Sequence, residues 1–157
     1  PKLIDPDTAR RHYRAVAERS AVVFASDDEA RLVLGREEQR EDEDDLAHGL
    51  AALAHGTAVV KLGSRGAVAS VDGVLHRRAA TPVRVVDPVG AGDAFVAGWL
   101  AAVLTGAAPA EALDRAADAG ALACTVAGDW RLPDPDAVVA VTDASEVDHA
   151  VHDRVDR

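Results

Sequence analysis

Residues 87–98 read DPVGAGDAFVAG: a turn of small residues, Gly90, Ala91 and Gly92, meets Asp93 and passes without a break into an apolar run. A turn of this kind at the start of a helix exposes several backbone N–H groups in one direction, and the helix dipole adds positive potential there. Small side chains let an anion such as a phosphate reach that backbone. A carboxylate beside a phosphate repels it. Asp93 therefore reads as a chemical group: a base taking the proton of a hydroxyl that attacks a phosphoryl group, while the amides face the phosphoryl oxygens. The alternative is a tight turn with an acidic helix cap. A dinucleotide fingerprint would need a third glycine where Phe95 stands, and a P-loop would need Gly-Lys-Ser or Gly-Lys-Thr, so neither fits.

Working outward, the spacing predicts a helix from Gly92 to Leu104, a break at TGAAP (105–109), and a second helix from Pro109 through Val126. On the N-terminal side, VRVV (83–86) leads into the turn. TAVVKLG (57–63) reads as a strand, SRG turns the chain into AVASV (67–71), and Asp72-Gly73 signals a hairpin into VLHRRA (74–79). Thr8–Ser20 is expected to be helical, with Asp5 or Asp7 as N-cap. AVVFA (21–25) has strand length, and Ser26 caps a helix that Gly35 ends. The charge run REEQREDEDD (36–45) reads as a solvated loop without function of its own, followed by a helix over Leu46–His55. AGDWRLPDPD (127–136) reads as a loop, PDAVVAVT (135–142) as a short helix or strand, and the polar tail 142–157 as frayed. Strands alternating with helices imply an α/β domain with a largely parallel sheet and helices on its faces, spanning 1–141.

The totals agree with one domain. The chain has 157 residues, 48% of them apolar but only 3% aromatic, so its core is built from Ala, Val and Leu. A net charge of −10 repels a phosphodiester backbone and argues against nucleic acid as a partner. No segment approaches the roughly 18 consecutive apolar residues of a membrane span, and the opening residues lack a signal-peptide layout. The single cysteine, Cys124, excludes an internal disulfide framework and is expected to be a small buried thiol in a reducing cytoplasm. The chain opens at Pro1 rather than Met, and an upstream portion is expected to have been left out. The six histidines form no metal-ligand pattern and are expected at the surface; Trp99 and Trp130 are expected to be packing anchors. Lys2 and Lys61 are the only lysines, and Lys61 lies in an apolar run, where it is either a snorkelling strand-end side chain or a functional cation.

DPVGAGDAFVAG resembles the C-terminal signature of the ribokinase-type (PfkB) carbohydrate kinases, Asp-Thr-x-Gly-Ala-Gly-Asp before a small-residue helix. Pro88 for the common Thr, with AGDW at 127–130, is most similar to the 2-keto-3-deoxygluconate kinase branch. The resemblance implies a ribokinase-like fold and ATP-dependent phosphorylation of a sugar or sugar acid. Asp93 would be the catalytic base and Gly90, Ala91, Gly92 and the Asp93 amide the anion hole. VVKLGSRGA looks like the family's nucleotide stretch, placing Lys61, Gly63, Ser64 and Gly66 along the ATP phosphates and ribose. SDDEA matches a segment whose glutamate helps hold Mg²⁺ through water, so Glu29 is the candidate metal residue, although a first-turn acid stabilising its helix has the same appearance. Ser26 stands where the family has Asn. Asp129 matches an aspartate that approaches the sugar; a turn-capping Asp is the alternative. Ala117 stands where the family often has an Asn near the adenine, and the neighbouring Asp118 faces another direction.

The similarity runs to about Val141 and covers only the C-terminal half of such a kinase. The N-terminal half and its lid, which supply most of the sugar pocket and often a homodimer contact, are absent from the chain. Two readings stand together: the catalytic half of a sugar kinase, or a truncated non-catalytic nucleotide-binding module. A nicotinamide dehydrogenase lacks its fingerprint.

Overall fold

The computed structural model describes residues 5–36 and 42–128. PDAVVAVT, Asp129, Trp130 and the 142–157 tail lie outside the described residues. The first helix, α1 (Pro6–Ala17), starts earlier than the apolar spacing suggests because Asp5 caps it, its carboxylate accepting from Thr8 N at 3.0 Å, with Pro6 in the first turn. β1 (Val23–Ser26) passes directly into α2 (Asp27–Leu34). There Ser26 and Glu29 cap each other's backbone reciprocally, and Gly35 closes the helix in the left-handed conformation at φ 71°. The acidic end of the charge run opens α3 (Glu43–Leu53) three residues before the expected start: Asp42 is its N-cap, and Glu43, Asp44 and Asp45 fill the first turn, where the helix dipole favours them.

Three strands follow β1: β2 (Thr57–Lys61), β3 (Ala67–Val71) and β4 (Val74–Arg78), in spatial order β1-β2-β3-β4. The expected parallel arrangement holds for β1 and β2, while β2–β3 and β3–β4 are antiparallel, so the described sheet is mixed. The cause is local: each of the last two strands returns through a tight turn, and tight turns join only antiparallel neighbours. The second of these is the Asp72-Gly73 turn, both residues at positive φ.

Side-chain alternation sends the strands' apolar residues to both faces. One face packs Ala58, Val60 and Val68 against Ala30, Val33, Leu46 and Leu50 of α2 and α3. The other packs Val59, Ala67 and Ala69 against α4 (Ala91–Leu104) and α5 (Pro109–Ala123) through Phe95, Trp99, Leu113 and Ala116. Trp99 is buried as expected, edge-on to Phe24 with ring centroids 6.1 Å apart, a geometry that contributes about 0.5–1.5 kcal/mol beyond area burial. Helices α4 and α5 approach through glycines from each side: a Cβ at Gly98 would stand 2.9 Å from both Ala119 Cβ and the Arg115 carbonyl oxygen, and one at Gly120 would stand 3.2 Å from the Ala91 carbonyl oxygen. This contact fixes where α4 begins. Among the described residues no helix is long and apolar enough to cross a membrane.

Candidate active site

The parallel register sets Ser26, the last residue of β1, beside Lys61, the last of β2. The start of α2 and the turn after β2 therefore share the carboxyl end of the parallel pair, where open α/β sheets bind ligands. The third component comes from the opposite layer. Lys61 is half-buried, and its ammonium lies 3.3 Å from where a Cβ on Gly92 would sit, so the strand end touches the first turn of α4.

That first turn is open. Gly90 adopts the left-handed conformation at φ 82°, and no side chain caps the helix. The Ala91 amide donates to the Pro88 carbonyl at 3.2 Å, whereas the Gly92 and Asp93 amides have no acceptor among the described residues. Asp93 is exposed and lines an open groove of about 550 Å³ with Gly90, Ala94, Ala97, Leu122 and Val126. A lysine ammonium and a helix N-terminus are both positive, and among the described residues Lys61 has no ion-pair partner. Their apposition favours an anion between them. A carboxylate beside a bound anion is then available as a proton acceptor.

The connection into α4 is held by groups that motif reading passes over. Asp87 accepts hydrogen bonds from Val89 N at 3.0 Å and Gly128 N at 3.1 Å, and these hold its carboxyl below the ordinary 3.8. The Cys124 carbonyl accepts from Val86 N at 2.7 Å and Asp87 N at 3.2 Å. The start of α4 is thus tied to the end of α5. An Asp two residues before the amide it accepts from is an Asx-turn signal, so the local half of this link was available in the sequence; the Gly128 half was not. Cys124 is half-buried, and burial, followed by the nearby Asp87 charge, pushes its thiol above 9.0.

Gly63 and Gly66 bracket a short 3₁₀ turn, Gly63–Arg65, at φ 59° and 100°. Gly66 is required twice over, since its φ suits glycine and a Cβ there would overlap the Arg78 carbonyl oxygen on β4. Ser64 is exposed on the turn. Glu29 is exposed at the start of α2, and one of its oxygens accepts from Ser26 N at 2.7 Å. Its helix-capping role is therefore realised; the second oxygen stays outside the cap. That leaves room for a single, water-mediated contact to Mg²⁺, an ion that keeps much of its hydration. An all-protein cage does not fit, since no group of three or more His, Cys, Asp or Glu is arranged for a metal among the described residues.

Ala117 is buried in the α5 core face. Asp118 turns elsewhere, accepting from Thr81 Oγ1 at 2.6 Å. His48 corrects the expectation of surface histidines: it is half-buried, with Nδ1 3.1 Å from Oγ of buried Ser70. The signal was present, because β-strand alternation puts Ser70 on the same face as Val68, and a hydroxyl buried there requires a partner.

Comparison with known proteins identifies the family. The profile described as pfkB family carbohydrate kinase matches residues 1–135. The chain is 36% identical over 133 residues to the 2-dehydro-3-deoxygluconokinase of Thermoproteus tenax, covering 83% of this chain and 40% of that protein. It is 33% identical over 141 residues to the 2-dehydro-3-deoxygalactonokinase of Haloferax volcanii, covering 89% and 43%. The crystal structure of aminoimidazole riboside kinase from Salmonella enterica, complexed with aminoimidazole riboside and an ATP analog, superposes with a TM-score of 0.69 at 28% identity, covering 87% of this chain and 47% of that one. The chain thus spans under half the length of these relatives and shares their ribokinase-like α/β fold. With the profile matched over most of its length, the chain belongs to the pfkB family of carbohydrate kinases.

Proposed function

We propose that this chain carries the nucleotide-binding and phosphoryl-transfer half of an ATP-dependent sugar-acid kinase acting on 2-keto-3-deoxygluconate. The observation that carries the reading is the apposition of Lys61 to the uncapped first turn of α4, beside exposed Asp93. The names of the two curated relatives support a 2-keto-3-deoxy sugar acid as substrate. The nucleotide analog in the related riboside kinase supports ATP as donor.

In this mechanism the turn at Gly63–Gly66 and Lys61 hold the nucleotide phosphates, and the open amides of Gly92 and Asp93 receive the γ-phosphoryl oxygens, the Ala91 amide being engaged by the Pro88 carbonyl. Asp93 accepts the proton of the sugar hydroxyl as its oxygen forms a bond to the γ-phosphorus. The bond from that phosphorus to the β,γ-bridging oxygen breaks, and ADP leaves. Glu29 would hold Mg²⁺ through water, and the ion would supply charge neutralisation at the nucleotide phosphates. Asp129 is assigned to the sugar on the strength of the motif alone.

In a preparation with measurable kinase activity, Asp93→Asn should lower kcat by roughly 10²–10⁴-fold and leave the affinity for Mg·ATP within about twofold. Retained turnover would defeat the assignment. A second reading is a nucleotide-binding module without turnover. Calorimetry with Mg·ATP and 2-keto-3-deoxygluconate, followed by an assay for ADP, separates the two: nucleotide binding without product supports the module.

A further inference from the structure

We propose that Arg65 is a positioning residue for the nucleotide turn, fastened there by the acidic run that opens α3. The inference rests on the nucleotide role assigned to Gly63–Gly66. Both ends of that turn are glycines at positive φ, the residue type that restrains its own backbone least. Arg65 adds a hold from outside. One guanidinium nitrogen donates to Asp27 Oδ2 at 2.8 Å, at the start of α2, and another donates to Glu43 Oε1, at the start of α3.

The two carboxylates are themselves held. Their side chains are only 28% and 25% exposed, and the second oxygen of Glu43 lies 3.6 Å from Arg77 on β4. Arg77 also reaches Asp44 at 2.5 Å and Asp42 at 3.7 Å. The turn is therefore tied through one charged network to α2, α3 and β4. A network of this kind resists displacement better than an isolated surface pair. The planar fork of arginine spans two separate carboxylates, which a lysine ammonium does not reproduce. Because α2 also carries Glu29, the same ties set the spacing between the nucleotide turn and the proposed magnesium contact.

The test uses calorimetry with Mg·ADP on the wild-type chain, Arg65→Ala, Arg65→Lys, the acid pair Asp27→Asn/Glu43→Gln, and the triple variant. Arg65→Ala should weaken Mg·ADP roughly three- to tenfold, the range for loss of two partly exposed ion pairs. Lysine should recover only part of it. In an active preparation the loss should appear in KM for ATP, with kcat at saturation unchanged. The acid-pair variant should reproduce the weakening, and removing Arg65 from it should add nothing. If the acid pair binds as wild type, or more tightly, while Arg65→Ala weakens, Arg65 touches the nucleotide itself and the proposal is overturned. Unchanged binding in Arg65→Ala overturns it equally. Should the wild-type chain not bind Mg·ADP, the functional reading fails, and hydrogen exchange decides this inference separately. The amides of Arg65 and Gly66, which donate to Leu62 O at 3.2 Å and Gly63 O at 3.0 Å, should exchange roughly three- to tenfold faster in Arg65→Ala; equal rates would overturn it.

Discussion

Substituting alanine for Gly98 tests whether the close contact of α4 and α5 sets the position of the candidate site. A Cβ at Gly98 would meet Ala119 Cβ and the Arg115 carbonyl oxygen at 2.9 Å and Ala116 Cα at 3.0 Å. Two of these three are backbone atoms of α5, and the third is a Cβ fixed to it, so none retreats by a rotamer change. Relief requires the helices to separate by about 0.5–1 Å toward ordinary carbon contact distance. Overpacking of this sort costs about 1–3 kcal/mol. Contacts with fixed backbone atoms put Gly98 in the upper half of that range, and alanine returns about 0.8–1 kcal/mol of helix propensity, leaving a net loss of about 1–2 kcal/mol. For a chain of 157 residues that is a fall in Tm of about 3–8 °C. Gly49→Ala is the matched control: it also lies inside a helix, but its Cβ would meet the ends of the Leu34 side chain at 3.0 and 3.2 Å, and those can rotate away. Its net effect should be within about 0.5 kcal/mol of zero. Both variants are measured by thermal and urea unfolding monitored by circular dichroism. Equal stability of Gly98→Ala and wild type, with Gly49→Ala the weaker, would refute the reasoning.

Other consequences are equally concrete. Ser26→Ala removes the hydroxyl that accepts from Glu29 N at 3.2 Å and should lower stability by about 1 kcal/mol, read from the urea midpoint at unchanged slope. Asp87 has a folded pKa below its ordinary 3.8 because Val89 N and Gly128 N bond the charged form. Its contribution is therefore complete above 3.8 and is lost as pH falls through the lower folded value; Asp87→Asn should lower stability near neutrality, where that contribution is complete, and flatten the stability profile in the acid window. A profile identical to wild type below pH 4 would show that the carboxylate does not hold the loop.

What could be read from the sequence was what depends on neighbours in the chain. The Ser26–Glu29 capping box, the Gly35 stop and the Asp72-Gly73 turn are each specified within a few residues, because capping and turn geometry are short-range. The same locality misled on sheet direction: alternating strand and helix signals implied parallel pairing, but two tight turns reversed β3 and β4. Ties between distant segments left no trace at the level of motifs. Lys61 and Gly92 meet only because β2 and α4 pack from adjacent layers, and Arg65 finds Glu43 only because α3 begins beside the turn. The run REEQREDEDD, read as a solvated loop, is the instructive case. On a helix surface alone its acids would satisfy the dipole and nothing more. Placed at the mouth of the parallel strand pair, three of them, Asp42, Glu43 and Asp44, engage arginines from the turn and from β4. A strongly acidic chain thereby keeps Lys61 beside the start of α4 without a protein counterion among the described residues, while Asp27 and Glu43, next to the Gly63–Gly66 turn, are drawn onto Arg65. In a protein of net charge −10, that division of charge leaves a place where an anion is not repelled. Neutralising Asp27 and Glu43 together should therefore weaken Mg·ADP binding by releasing Arg65, and equal or tighter binding would show that the two carboxylates do not hold the turn.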